Sequence, residues 1–124
     1  MSTTVVCRMN AWCDNYYLGY LKFMYDVHEP YSVVMIDTLE DNPWTFSREL
    51  IYRSFAEHTG LGDVRMWTLK NKFYIVLDAP DESMTITLDK LEMKKFITET
   101  LDLVPLGTES LHMNIDELLE KLLA

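Results

Sequence analysis

The sequence predicts an α+β fold: a single small domain over residues 1–124, mostly antiparallel sheet, with a meander over 64–88 covered by three to four helices. Three observations carry that expectation. Met84, Ile86 and Leu88 alternate with Thr85 and Thr87, the period-two pattern of a strand with one buried face. Phe73-Tyr74-Ile75-Val76-Leu77 is apolar at every position, as in a central strand covered at least partly on both sides. Asp89 followed three residues later by Glu92 is a capping-box pattern, after which Met93, Phe96, Ile97 and Leu101 fall on one helical stripe.

Taken in order, Thr3–Met9 is rich in β-branched residues and reads as the first strand. Asn10 can cap a helix, and Cys13, Tyr16, Tyr17, Tyr20, Leu21 and Met24 then sit at helical spacing, predicting a helix over residues 11–25. Gly19 and the aromatics lower helix propensity there, so a strand is the alternative. His28-Glu29-Pro30 ends that element, because proline disfavours helix in the residue before it. Tyr31–Asp37 is short, apolar and β-branched and reads as a buried strand, followed by an acidic turn over 38–43.

A helix is expected to start near Trp44–Ser47, to carry Phe46, Leu50, Ile51 and Phe55 on its inner face, and to stop at a glycine cap, Gly60 or Gly62. The strands of the meander are Val64–Leu69, Lys72–Asp78 and Met84–Leu88. Lys70-Asn71 is a tight turn in which Asn71 tolerates the left-handed conformation, and residues 79–83 form a longer loop. A helix runs from Lys90 to Leu103, and Pro105-Leu106-Gly107 breaks the chain. A last helix starts at Asn114 with Glu117 three residues on, and Ile115, Leu118, Leu119 and Leu122 form its stripe, with Leu123 beside them. Strands and helices come in mixed order, against a doubly wound parallel sheet.

Composition narrows the function classes. Of 124 residues 48% are hydrophobic, and 20 acidic side chains face 11 basic ones, giving a net charge of −9. Such a surface repels phosphate backbones and anionic membranes and attracts basic protein surfaces. Lys90, Lys94 and Lys95 make the one small basic cluster, which on a helix is a solvated face, so no direct contact with nucleic acid is expected. No apolar run approaches the roughly 20 residues that span a bilayer. The N-terminus lacks the charged and apolar regions of a secretory signal. Cys7 and Cys13 make no disulfide framework, so a cytoplasmic protein with free thiols is expected.

No catalytic, cofactor-binding or metal-binding residues are expected. His28 beside Glu29 and His58 after Glu57 do not have zinc-ligand spacing, and Cys7 and Cys13 lack a second ligand pair. There is no Gly-x-Ser-x-Gly elbow, and Gly60-Leu61-Gly62 is not followed by the Lys-Ser/Thr of a phosphate loop. The chain therefore reads as a non-enzyme.

Surfaces remain. Two turn-like stretches each concentrate three carboxylates, Asp37, Glu40 and Asp41 in one and Asp78, Asp81 and Glu82 in the other. With Trp44 as an aromatic anchor, and Trp67 as a second, these are the candidate partner-binding residues. Their expected partner is a basic protein surface belonging to a nucleic-acid-handling protein. By general type, a compact, acidic, motif-free domain is similar to small inhibitors of the phage anti-defence or toxin-immunity kind, with imitation of DNA charge as one route. Two alternatives stand beside that reading. One is a homodimeric or larger structural or adaptor protein packing through the C-terminal helix. The other is a small enzyme or ligand-binding domain using His28, His58 or His112.

Overall fold

The computed structural model describes residues 3–37, 43–113, 120, 122 and 123. Its first element is a long hairpin. Thr4–Cys13 (β1) and Tyr16–Asp26 (β2) pair antiparallel across Asp14-Asn15, with Asp14 at φ 54° taking the left-handed conformation of the turn. Leu21, Phe23 and Tyr25 are buried while Lys22 and Met24 face outward. This period-two burial overrides the helical spacing of Tyr16, Tyr17 and Tyr20, all of which are at least half exposed. The helix expected over 11–25 is thus a strand hairpin, and the strand expected to end at Met9 continues to Cys13.

Ser32–Asp37 (β3) adds antiparallel to β2, and Pro43–Ser47 (β4) adds to β3. The helix expected from Trp44 to Gly60 or Gly62 is replaced by three elements. Within β4 only Phe46 is buried, with Thr45 and Ser47 exposed on either side of it, so the segment is extended. Ser47 then caps a helix of six residues, Arg48–Arg53 (α1), its Oγ accepting from the Leu50 N–H at 3.3 Å. Thr59–Leu61 (β5) is a strand rather than a glycine cap. A Cβ built on Gly60 would lie 2.6 Å from the Val64 carbonyl oxygen and 2.8 Å from the Arg65 Cα, so glycine is there for strand contact.

The meander follows its expected course. Val64–Leu69 (β6), Lys72–Asp78 (β7) and Ser83–Asp89 (β8) pair in sequence order, although the left-handed turn residue is Lys70 at φ 54° rather than Asn71. All eight strands form one antiparallel sheet in the order β4-β3-β2-β1-β8-β7-β6-β5. Lys90–Leu103 (α2) begins at the Asp89 cap, whose Oδ1 accepts from the Glu92 N–H at 3.0 Å. Met93, Phe96 and Ile97 of α2 are buried on the inner face of the sheet, and Phe96 meets Phe23 at 6.0 Å between ring centroids. A 3-10 turn, Glu109–His112, follows. Among the described residues, then, a curled eight-stranded sheet is covered by one long and one short α-helix, not three to four. The last helix expected from Asn114 falls largely on 114–119, 121 and 124, outside the described residues.

One buried charge ties these pieces together. Arg48, 1% exposed, donates from Nη1 to the carbonyl oxygens of Thr100 (3.1 Å) and Val104 (2.7 Å) at the end of α2. Its Nη2 meets Glu109 Oε1 at 2.9 Å, and the guanidinium lies 5.0 Å from the centroid of the Tyr25 ring. A cation here satisfies carbonyls that the helix end leaves open and opposes the negative pole of the helix dipole. Partial burial pulls the Glu109 carboxyl upward. Hydrogen bonds from its own N–H, from Arg48 and from the Gly107 N–H outweigh this and hold it below the ordinary 4.5. Burial, tempered by Arg48, pushes the Tyr25 phenol up to about 12, so its hydroxyl stays protonated and donates to the Pro30 carbonyl at 3.0 Å.

Removing one partner of a buried ion pair typically costs about 3–5 kcal/mol, so R48M is expected to lose stability on that order in urea denaturation at neutral pH. G60A is expected to cost about 1–3 kcal/mol by overpacking against β6. Because folding lowers the Glu109 pKa, its contribution is present above 4.5 and is lost as pH falls through the folded value. Wild type should therefore exceed E109Q in stability at pH 6–7, and the gap should narrow on acidification below that unfolded value. A gap that stays constant with pH would refute the assignment.

Candidate functional site: the groove at the mouth of the sheet

Among the described residues the helices do not cover the whole inner face. At one end of the sheet the core residues open into a groove of about 260 Å³, with Leu18, Leu21, Met35 and Trp44 on one side and Leu77, Met84 and Ile86 on the other. The register explains the lining: Met35 stands opposite Trp44, Leu77 opposite Met84, and Leu21 opposite Asp37. Trp44 sits on the outermost strand and Leu77 five strands away, so the curl of the sheet brings the two walls together. Leu18 comes from an irregularity in the β1–β2 ladder, where the register shifts between Ala11 and Trp12 and leaves Leu18 without an opposite residue.

The floor is core: Leu21, Met35 and Ile86 are at most 3% exposed. The rim is half open, with Trp44 and Met84 each 39% exposed. Asp37 flanks one wall and Glu82, with Ala79, the other. The groove is large enough to take one or two inserted apolar side chains.

Three of the seven residues singled out from sequence, Asp37, Trp44 and Glu82, meet in this groove. Asp78 points elsewhere: its carboxylate pairs with Arg65 at 3.3 Å and accepts from the Ser83 hydroxyl at 2.7 Å. Asp81 is exposed in the β7–β8 loop, and Glu40 and Asp41 lie outside the described residues. Leu18, Leu21, Met84 and Ile86 were not legible as site residues, because nothing local distinguishes a groove floor from ordinary core. Trp67, the second aromatic candidate, stands on the outer face of the sheet. It stacks between His58 (4.5 Å) and Tyr74 (5.3 Å), ring face to ring face, so its faces are already covered.

His28 is engaged with Asp26 at 3.0 Å, His58 with Trp67, and His112 lies in the 3-10 turn; none lines the groove. Among the described residues no three His, Cys, Asp or Glu side chains gather as metal ligands. Burial pushes the Cys7 thiol up, and Glu92 and Glu99 add to the effect, which disfavours a thiolate nucleophile. No helix among the described residues is long and apolar enough to cross a membrane.

Comparison with known proteins identifies the lineage of this fold. The family described as "Streptomyces sporulation and cell division protein, SsgA" matches residues 20–109. The sporulation-specific cell division protein SsgB of Salinispora tropica is 30% identical over 109 residues, covering 81% of this chain and 76% of that protein. A solved structure of an SsgA-like sporulation-specific cell division protein from Thermobifida fusca superposes with a TM-score of 0.83 at 26% identity, covering 98% of each chain. A solved SsgB structure superposes with a TM-score of 0.81 at 27% identity, covering 89% of this chain and 94% of that one. It comes from work in which mutations in SsgB correlate with longitudinal cell division during sporulation of Streptomyces coelicolor.

These relatives overturn the functional expectation drawn from charge. They are cell division proteins, not phage or immunity inhibitors or DNA mimics, and the expected basic, nucleic-acid-handling partner has no support among them. They are likewise named for division and not for an enzymatic activity. The segment invoked for a homodimer through the C-terminal helix lies largely outside the described residues. Net charge alone describes solubility and association, not fold or role, which is why it misled.

Groove floor and groove rim should separate in mutagenesis. I86A removes a fully buried side chain and should cost about 2–5 kcal/mol, whereas W44A, 39% exposed on an edge strand, should cost less, about 1–2 kcal/mol. Chemical denaturation of both variants checks this, and equal losses would show that Trp44 is a structural residue.

Proposed function

This chain belongs to the SsgA family of Streptomyces sporulation and cell division proteins, and we propose that it acts in sporulation-specific division as a non-catalytic docking protein. Its docking site is the groove at the mouth of the sheet, where a protein of the division apparatus inserts one or two apolar side chains against Trp44 and Met84. The observation that carries this reading is the half-exposed Trp44, held on an edge strand and turned over an apolar floor. Tryptophan is the residue type most enriched at binding hot spots, and a rigid pocket beside it lowers the entropic cost of insertion. Asp37 and Glu82 flank the opening and can accept hydrogen bonds from the backbone N–H groups of the inserted segment. Beside them β4 is an edge strand whose outer backbone groups can pair with an extended partner.

The test is made in cells of the source organism, scoring sporulation septa by membrane-dye microscopy. Deleting the gene is expected to reduce septation, wild type to restore it, and W44A, folded by its thermal melt, to fail. Normal septation after deletion would refute the division role. Full rescue by W44A would refute the groove as its site.

A further inference from the structure

The outer face of the sheet carries a second surface, on the side away from the helices. Arg8 of β1 and Lys22 of β2 stand directly opposite each other in the ladder. Like charges at such positions repel, and their Cβ atoms are only about 4.5–5.5 Å apart. The chain has 20 carboxylates, yet none pairs with either cation among the described residues. Other charges on this face have partners, Arg65 with Asp78, Lys72 over the Trp12 ring at 5.5 Å and Asp89 as the cap of α2, while Glu29 borders the Met24–Val34 end. Asp26, at the far end of β2, holds His28.

The row on one side of this pair is apolar, and the row on the other joins Tyr20 to Asn10, whose Oδ1 accepts from the Tyr17 hydroxyl at 2.6 Å. Two residues along, Val6 stands opposite Met24 and Met24 opposite Val34; on the other side Asn10 stands opposite Tyr20. Val6 is 49% and Tyr20 51% exposed. A cation pair with no carboxylate partner among the described residues, flanked by exposed apolar and aromatic side chains, offers charge complementarity to an acidic ligand and apolar surface beside it.

We propose that this outer face binds an extended acidic segment of a partner protein with the pattern apolar–x–Asp/Glu–x–aromatic. The spacing comes from the sheet itself. Rows two residues apart along a strand are about 6.6–6.8 Å apart, the same distance that separates residues i and i+2 of an extended peptide. One carboxylate then bridges Arg8 and Lys22 while its neighbours at i−2 and i+2 rest against Val6–Met24 and Tyr20. The carboxylate removes the cross-strand repulsion, and the flanking side chains cover surface that is otherwise wet. This surface is distinct from the groove, so the two can be tested apart.

The probe is the acetylated, amidated peptide Leu-Ser-Glu-Ser-Tyr, titrated into the full chain at near-physiological salt and followed by amide nitrogen–proton NMR. Shifts are expected on the outer rows around Arg8 and Lys22, with the peptide carrying Gln in place of Glu binding at least tenfold more weakly. R8E places opposite charges across the ladder, so its Tm should equal or exceed that of wild type while peptide binding falls at least tenfold. W44A should bind the peptide as wild type does, which separates this site from the groove. Equal affinity for the Glu and Gln peptides, shifts confined to other strands, or undiminished binding by R8E would each overturn the proposal. So would inorganic phosphate giving the same shifts at the same concentration, since the site would then recognise any anion.

Discussion

The fold turns on the Arg48 guanidinium. It is the first residue of a helix only six residues long, too short to be stable by itself. From that position it reaches the last carbonyls of α2, the Glu109 carboxylate and the face of Tyr25. Four parts of the chain that are remote in sequence thus share one charge. A buried ion pair gives little net stability over a well-packed apolar alternative, but breaking one partner leaves the other stranded. The value of Arg48 is therefore registry: with β4 leading directly into it, the edge of the sheet is fixed relative to the helix that covers the core. That edge is where Trp44 sits, so the geometry of the groove is set by a contact on the far side of β4.

What was legible in the sequence was what is local. In 64–103 each strand pairs with its neighbour across a short connection, and each pattern has one reading: alternation in Met84–Leu88, a cap at Asp89, a stripe at Met93, Phe96 and Ile97. In 10–25 two periods fit the same residues. Cys13, Tyr16, Tyr17, Tyr20, Leu21 and Met24 satisfy a helix; Leu21, Phe23 and Tyr25 satisfy a strand. The choice is made by pairing with β1, β3 and, through β1, with β8 more than 70 positions on, none of which a local window contains. Gly60 failed for a related reason. Its lack of a side chain looked like a helix stop, but the constraint is the backbone of Arg65 pressed against it across a strand pair.

The groove was half legible. Two carboxylate-bearing turns and a tryptophan were visible as residues, and the curl of the sheet brings Asp37, Trp44 and Glu82 to one opening. Sequence could not say that Asp78, though in the same turn as Glu82, faces the other way. The strand period decides it: Leu77 points to the floor of the groove, so Asp78 points to the outer face and meets Arg65. Counting charges per turn hid that distinction, and the same counting suggested a basic partner when the floor between the carboxylates is apolar.

The period that separates Leu77 from Asp78 also fixes the relation between the two proposed surfaces. On β2, Leu21 lines the groove while Lys22, the next residue, belongs to the outer cation pair; on β3, Met35 lines the groove while Ile36 stands opposite Lys22. A one-residue slip of either strand would exchange the two faces completely. Register is protected on both sides: the inner residues cannot leave the core without exposing it, and β1 holds β2 along nearly its whole length. Two ligands bound to opposite faces of the same strands would therefore be held back to back by one rigid ladder. Their separation would be about the thickness of a single sheet, roughly half the 10 Å between packed sheets on each side. A protein built this way needs no hinge and no chemistry to bring two partners together. It needs only a sheet curled enough to make a groove on one side and flat enough to offer rows of side chains on the other.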